Sequence, residues 1–549
     1  MSEQSNAAPS DTVTLGDRRR WWLLGSLSVA MTMVMVDATI LNVSVPQIGP
    51  ELGARTSDVL WFNAMYSLVF AALLITMGRV GDRFGYRRLF VTGVLVFVAG
   101  SVGAALAQSA EQLIAARAGQ GVGAAMFVPA TLALVTLRFT GRERATAFAV
   151  WGGVIGVAAA IGPLFGGYVI EVASWRWAFG INVPIAIVTI AGVWWSTRGD
   201  VQKRGSAGFD LVGAALVSVA VALVVFGLIQ GGSYGWWAAK GNPAVAGLDW
   251  PLATVSPVPV AFVLAVVLTG LFIWWEKARA TSGKPVVLDL TLFAIPAFSA
   301  GTLAGLVIMF GEFGMILTLP LFLQNVLGYN ALQAGACVAI VTAGGLTGAV
   351  TSAPLVRRIG AWSVVRWGLA AEAIAMVGLA WSYSPTTNAA LLAPWLVLFG
   401  IGIGFTNAQL LNVTLAQVPP AASGQASATQ STTRQIGTAL GVAVLGVVLW
   451  ANVSTGLDAA LKDPGPVRNE IESSIGAAIG SPDYDQPTID DQFGQATGDT
   501  ARTVFADATS TATLVGAGFV ALALLAVARV KEPEPLVEPA RTTVTAGSK

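Results

Sequence analysis

Gly78-Arg79-Val80-Gly81-Asp82-Arg83-Phe84-Gly85-Tyr86-Arg87-Arg88 is a short basic stretch held between two apolar runs, 58–78 and 88–108. Each run is long enough to cross a bilayer as a helix, which takes about 20 residues. Lys and Arg collect on the cytoplasmic side of membrane proteins, so the stretch reads as a cytoplasmic turn between two spans. A second turn of this kind is Val356-Arg357-Arg358-Ile359-Gly360-Ala361-Trp362. It too follows the second span of a six-span block. Arg357 stands where the first copy has Asp82, so the second copy is degenerate. The pair reads as an internal repeat, and such symmetry puts a substrate site near the midplane between the halves.

Spans are expected near 21–45, 58–78, 88–108, 112–136, 145–171, 175–196, 209–230, 256–275, 293–326, 331–356, 362–382, 389–411, 425–450 and 510–530. The expected fold is an all-α membrane protein with 14 transmembrane helices. Spans 1–6 and 9–14 form two six-helix bundles, and spans 7 and 8 are inserted between them. The run 293–326 is too long for one straight span and is expected to include an interfacial segment. The division is a tail at 1–20, an N-terminal bundle at 21–200, the insertion and its linkers at 201–284, a C-terminal bundle at 285–530 and a tail at 531–549. With the N-terminus inside, 23 of the 31 Lys and Arg fall on cytoplasmic segments, and both termini are cytoplasmic. The segment 412–424 breaks that pattern, having no basic residue. The polar stretch 455–508, with its excess of acids and Pro464, Pro466, Pro482 and Pro487, is expected as an extracytoplasmic loop. Trp21, Trp22, Trp175, Trp177, Trp194, Trp195, Trp274 and Trp275 sit at span ends, as an interfacial belt would place them.

Composition excludes several classes. Hydrophobic residues make up 55% of the 549 and charged residues 11%, against about 25% charged in soluble domains. Mean hydropathy is +0.70. A net charge of +1 gives no reason to expect nucleic acid. The chain has no histidine and one cysteine, Cys337. The usual proton shuttle, the commonest zinc ligand and an internal disulfide are therefore all lacking. No metal, no cofactor and no enzymatic activity are expected. No G-x-x-x-x-G-K-[S/T] string offers a phosphate-binding loop, which disfavours an ATP-driven pump. A sensor would need a soluble output domain, and none is apparent. Proton chemistry must rest on carboxylates.

Residues Gly78 to Arg88 resemble the signature loop of the major facilitator superfamily, with Tyr86 where many members carry a basic residue. Gly78, Asp82, Arg83, Gly85 and Arg87 would then form a conformational latch. Arg117-Ala-Gly-Gln120-Gly121-Val-Gly123 is similar to the family's span-4 motif, whose arginine is implicated in proton coupling. Ala158-Ala-Ala-Ile-Gly162-Pro163-Leu-Phe-Gly166-Gly167 looks like its antiporter motif in span 5. Gly162 and Gly166 make a close-packing face and Pro163 kinks the helix. Asp37-Ala-Thr39-Ile-Leu-Asn42-Val-Ser-Val-Pro46 resembles the span-1 motif of the drug:proton antiporters. Trp175-Arg-Trp177-Ala-Phe179-Gly-Ile-Asn182-Val-Pro184 resembles a span-6 start typical of fourteen-span members. The resemblance, which runs from about 20 to 450, implies two six-helix bundles and alternating access.

The candidate site follows from charges in apolar runs. A carboxylate at mid-membrane costs roughly 2.5–3.5 kcal/mol on insertion scales, so it marks function by default. Asp37 and Glu312 begin equivalent spans of the two halves. With Arg117 they form the expected proton-coupling set, and both acids are expected to line the cavity and meet substrate. Met309, Phe310 and Phe313 flank Glu312 as an adaptable apolar lining. Glu372, in span 11, is taken as structural, and Arg434 as a charge near a span end. The expected function is proton-coupled export of amphipathic cationic or neutral drugs by a monomer in the bacterial cytoplasmic (inner) membrane. The partners are protons, small amphipathic molecules and the bilayer. Export of a lipid, a glycolipid or a self-made antibiotic is the alternative; the Ala/Gly/Val-rich, Lys-poor composition suggests a GC-rich bacterial genome.

Overall fold

The computed structural model describes residues 17–54, 56–139, 143–144, 146–148, 150–154, 158, 174–198, 208–240, 244–245, 248–252, 254–329, 331–419, 422–461, 467 and 495–530. The helices in chain order are α1 (Asp17–Glu51), α2 (Thr56–Phe84), α3 (Tyr86–Ala105) and α4 (Ala110–Arg138). Next come α5 (Trp175–Ser196, with a one-residue turn at Ile181), α6 (Leu211–Tyr234) and α7 (Pro257–Thr281). The last six are α8 (Pro296–Asn325), α9 (Ala331–Ile359), α10 (Ala361–Ser382), α11 (Ala389–Thr414), α12 (Ser423–Ala460) and α13 (Gln495–Ala528). Between α6 and α7, Ala244–Val245 and Leu248–Asp249 pair as a two-residue antiparallel β-hairpin.

Twelve helices among the described residues, α2 to α13, are long and apolar enough to cross a membrane. The expected fifth span, 145–171, falls largely outside the described residues. Two other expectations are corrected. The long run 293–326 resolves into a 3₁₀ turn at Leu290–Ala294 followed by α8, because Pro296 starts the helix at a position needing no N–H. The stretch 455–508 is not all loop: α12 continues to Ala460 and α13 begins at Gln495.

Local chemistry sets the helix ends. Ser109, Asp210, Ser256 and Asn388 each cap a helix by accepting a backbone N–H. At the two repeat turns, Gly85 (φ 93) and Gly360 (φ 86) take the left-handed region just before α3 and α10. The two turns therefore share one backbone device, although their charges differ.

One core gathers α1 to α7 together with Phe298 of α8, Leu411 of α11 and Ala426 of α12, and a second lies within α8 to α13. In the second, Gly344 and Gly348 of α9 face Gly400 and Gly404 of α11. A Cβ on Gly400 would lie 2.0 Å from the Val341 carbonyl oxygen, so only small residues permit this crossing. The inserted pair α6–α7 packs on α2 and α12 through α6. Thr76 meets Ser218 at 3.0 Å there.

The insertion is fastened to the second bundle by a buried polar knot. Asp210 accepts a hydrogen bond from Trp275 Nε1 at 2.9 Å and forms an ion pair with Arg279, whose Nε lies 3.1 Å away and donates to the Pro285 carbonyl. Buried Glu276 accepts the Val287 amide, and the Asp289 amide donates to Gln425 of α12 at 2.8 Å. Trp175 and Trp275 thus depart from the interfacial-belt expectation. Trp175 is buried and donates to Glu51 at 2.6 Å. Trp21, Trp22, Trp177, Trp194, Trp195 and Trp274 are exposed, as the belt requires.

Candidate functional site

The first bundle encloses a charged network. Asp37 of α1 and Arg117 of α4 form an ion pair with both side chains buried. The Arg117 Nε donates to the Phe62 carbonyl at 3.0 Å, its Nη1 to Gln120 Oε1 at 2.8 Å, and its plane lies 4.6 Å from the Tyr66 ring centre. Gln120 Nε2 donates to Asp37 Oδ1 and to Ser101 Oγ, both at 2.8 Å. Asn182 Nδ2 reaches Ser101 Oγ at 3.1 Å and Asp37 at 3.4 Å. Donors from α4 and α5 thus meet the α1 carboxylate, and α2 and α3 join the network through Arg117, Gln120 and Asn182. A buried pair persists only when its remaining lone pairs and protons are satisfied in this way. Asp37 itself accepts from three groups, Arg117 Nη1, Gln120 Nε2 and Asn182 Nδ2.

Asp37 is enclosed within its own bundle at 2% exposure. Arg117 lies seven residues into α4, about 10 Å along the helix axis. The network is nearer the end opposite the α2–α3 turn. The cause is the polar complement from α3, α4 and α5, which draws the carboxylate inward.

The second bundle holds another network at mid-height. Asn407 of α11 donates to Glu312 of α8 at 3.1 Å, and Arg434 of α12 donates to Asn407 Oδ1 at 2.6 Å. The next residue on α11, Thr406, donates to Glu372 of α10 at 2.8 Å. Glu372 and Glu312 are 0% and 5% exposed. Arg434, expected near a span end, is inside this network instead. Met309 and Phe310 are buried, and the Phe310 ring packs against Phe519 of α13 with ring centres 4.1 Å apart. Phe313 is half-buried against the same core.

The bundles meet at the end that carries the α2–α3 turn. A Cβ on Gly78 would fall 2.4 Å from the Ala428 Cβ and 2.7 Å from the Gly424 carbonyl oxygen of α12. The Tyr86 hydroxyl donates to Asp82, with Arg79 at 3.9 Å and Gln425 and the Gly424 amide facing the same carboxylate. The Tyr86 ring occupies the space that glycines at 81 and 424 leave open. This accounts for the aromatic residue where a basic one is common. Arg87 donates to the Thr197 carbonyl at 3.3 Å, and Arg83 stacks 5.2 Å from the Phe84 ring centre. Arg144 Nε bridges to Asn412 at 3.0 Å. The motif residues Gly162, Pro163, Gly166 and Gly167 lie outside the described residues.

A cleft of about 600 Å³ runs between α1, the segment 146–158 and α9. Thr32 and Thr146 are its polar side chains; Val36, Val150, Leu346 and Val350 supply most of the wall. Neither Asp37 nor Glu312 lines it. Sequence reading also missed Ser101, Gln120, Asn182, Thr406 and Asn407 as partners of the buried acids. Their signal was available but faint: uncharged polar residues in apolar spans.

Two helical bundles with repeated turns, buried ionisable networks and a seal at one end define a multi-pass membrane transporter, not an enzyme. The Major Facilitator Superfamily model matches residues 27–442, and the chain belongs to that superfamily. It is 32% identical over 462 residues to a "Probable actinorhodin transporter" of Streptomyces coelicolor, covering 81% of this chain and 75% of the relative. It is 31% identical over 495 residues to "Methyl viologen resistance protein SmvA" of Salmonella typhimurium, covering 89% and 93%. The fold is similar to that of the human organic anion transporter MFSD10, with TM-score 0.59 at 12% identity, covering 93% of this chain and 99% of that one.

Proposed function

We propose that this protein is a proton-coupled antiporter that exports amphipathic, cationic or neutral compounds from the cytoplasm across the bacterial inner membrane, acting as a monomer. The Asp37–Arg117 network carries the reading. It is a carboxylate held by donors on α4 and α5 within a network that reaches α2 and α3, so its protonation would be felt beyond its own helix, which is what coupling to a conformational cycle requires. One proton charge moving down 100 mV supplies about 2.3 kcal/mol. Relatives named for antibiotic transport and methyl viologen resistance support export of a drug-like molecule. We assign fourteen spans, with α1 and the segment 145–171 added to the twelve apolar helices. Both termini lie inside, so the α2–α3 turn faces the cytoplasm. Its seal against α12 then describes an outward-facing state latched by Asp82 and Tyr86. In that state Glu312 is a second coupling acid.

The division into bundles 21–200 and 285–530 around an insertion at 201–284 belongs to the same proposal. A second reading, export of a lipid, glycolipid or self-made antibiotic, is favoured by the cleft, whose lining is apolar apart from two threonines. The test is drug and proton flux measured together in proteoliposomes. Asp37→Asn keeps the shape and removes the titrating group, so drug-driven proton movement is expected to stop. Unchanged proton movement in that variant would refute the coupling role.

A further inference from the structure

The second bundle holds two buried carboxylates and a partly buried arginine whose Nη1 is enclosed. Thr406 and Asn407, adjacent on α11, hold one acid each: Thr406 bonds Glu372 at 2.8 Å and Asn407 bonds Glu312 at 3.1 Å. Arg434 reaches the pair through Asn407 Oδ1. Two buried polar atoms have no hydrogen-bond partner here, Glu372 Oε2 and Arg434 Nη1. Among the described residues, Arg366 on α10 donates to the Val530 carbonyl and Arg144 to Asn412 farther along α11. Ser510 of α13 bonds the Ala380 carbonyl of α10, so Asp499, Arg502 and Asp507 lie beyond the far end of α10. Arg357 and Arg358 occupy the last turn of α9. From α11 the groups against Glu372 are Thr406 and the backbone at Gly402. An uncompensated charge enclosed this way is costly, and the group neutralises instead.

We propose that Glu312 and Glu372 share one proton, opposite Arg434, making Glu372 a second proton-carrying residue. The charge count closes only with that proton: two carboxylates, one guanidinium, one added hydrogen. The Glu372 oxygen without a donor is the natural seat for it. Whichever acid holds it, the total is one proton, and no other group is consumed. Opening the bundle would expose the proton to one face or the other. The role in transport rests on the antiport reading above; the presence of the proton does not.

The same count makes an unusual prediction for single variants. Removing either acid leaves one carboxylate facing one guanidinium, and no proton is needed. Removing the guanidinium leaves two carboxylates and calls for a second proton. The probe is the infrared carbonyl band of protonated carboxyl groups, read on the full chain in an ester-free detergent at neutral pH. Glu372→Gln and Glu312→Gln are each expected to lose one protonated carboxyl per molecule, and Arg434→Gln to gain one. Each variant is first checked for a single species by size-exclusion chromatography, and any one that folds suffices. A band unchanged in a folded Glu372→Gln or Glu312→Gln protein, or one that fails to grow in Arg434→Gln, overturns the proposal. This readout uses no substrate. Loss of antiport with the band pattern intact would therefore sink the functional reading and leave the shared proton standing.

Discussion

Gly78→Ala is the sharpest test of the seal between bundles. In the present conformation the added methyl would lie 2.4 Å from the Ala428 Cβ and 2.7 Å from a backbone carbonyl oxygen of α12. Neither neighbour is the end of a flexible side chain, so the helices must separate. Overpacking of this kind costs typically 1–3 kcal/mol. The clash exists only while α2 and α12 are in contact, so the cost falls on the sealed state alone and is relieved when that end opens. A differential of about 1–3 kcal/mol shifts the equilibrium between sealed and open forms roughly 5- to 150-fold toward the open form. Spin labels at positions 88 and 358, both exposed and on the two repeat turns, would report the separation in a Cys337→Ser background. The expected result is a large gain in the longer-distance population. A distance distribution like that of the parent, together with a lower melting temperature, would mean the strain is absorbed within the bundles. The seal would then not be a conformational switch.

Two other outcomes follow from groups at helix ends. Arg176, and then Trp175, hold the Glu51 carboxyl below its ordinary value by donating hydrogen bonds to it. Its contribution to stability is present above the ordinary carboxylate pKa of about 4.3 and lost as pH falls through the lowered folded value. Glu51→Gln should therefore flatten the fall in melting temperature between neutral pH and about pH 3, and an unaltered acid profile would refute the pairing. Glu276→Ala leaves the buried Val287 amide without its acceptor. The expected cost is about 1–3 kcal/mol in thermal unfolding; no change would show that the linker to α8 is held by other contacts.

The span pattern and the repeat were legible because bilayer physics acts on composition. A span must be apolar over about 20 residues and turns must carry the cations, and both constraints are written locally. The short glycine turns before α3 and α10 were legible for the same reason, since a positive φ asks for glycine. Asp37, Arg117 and Glu312 stood out by cost alone, each being a charge in an apolar run. What local pattern could not say was where those charges point. Met309 and Phe310 adjoin Glu312 in the chain, yet Phe310 faces α13 while Glu312 faces α11, because a helix turns neighbours by about 100°. Glu372 gained its meaning from Thr406, thirty-four residues away. Trp175 and Trp275 have the composition of interfacial anchors but bond carboxylates that only packing brings near. The apolar spans and the doubled glycine turns follow from local composition. Which acid pairs with which cation, and which end is shut, follow from packing, because those depend on helix rotation and contact between distant segments.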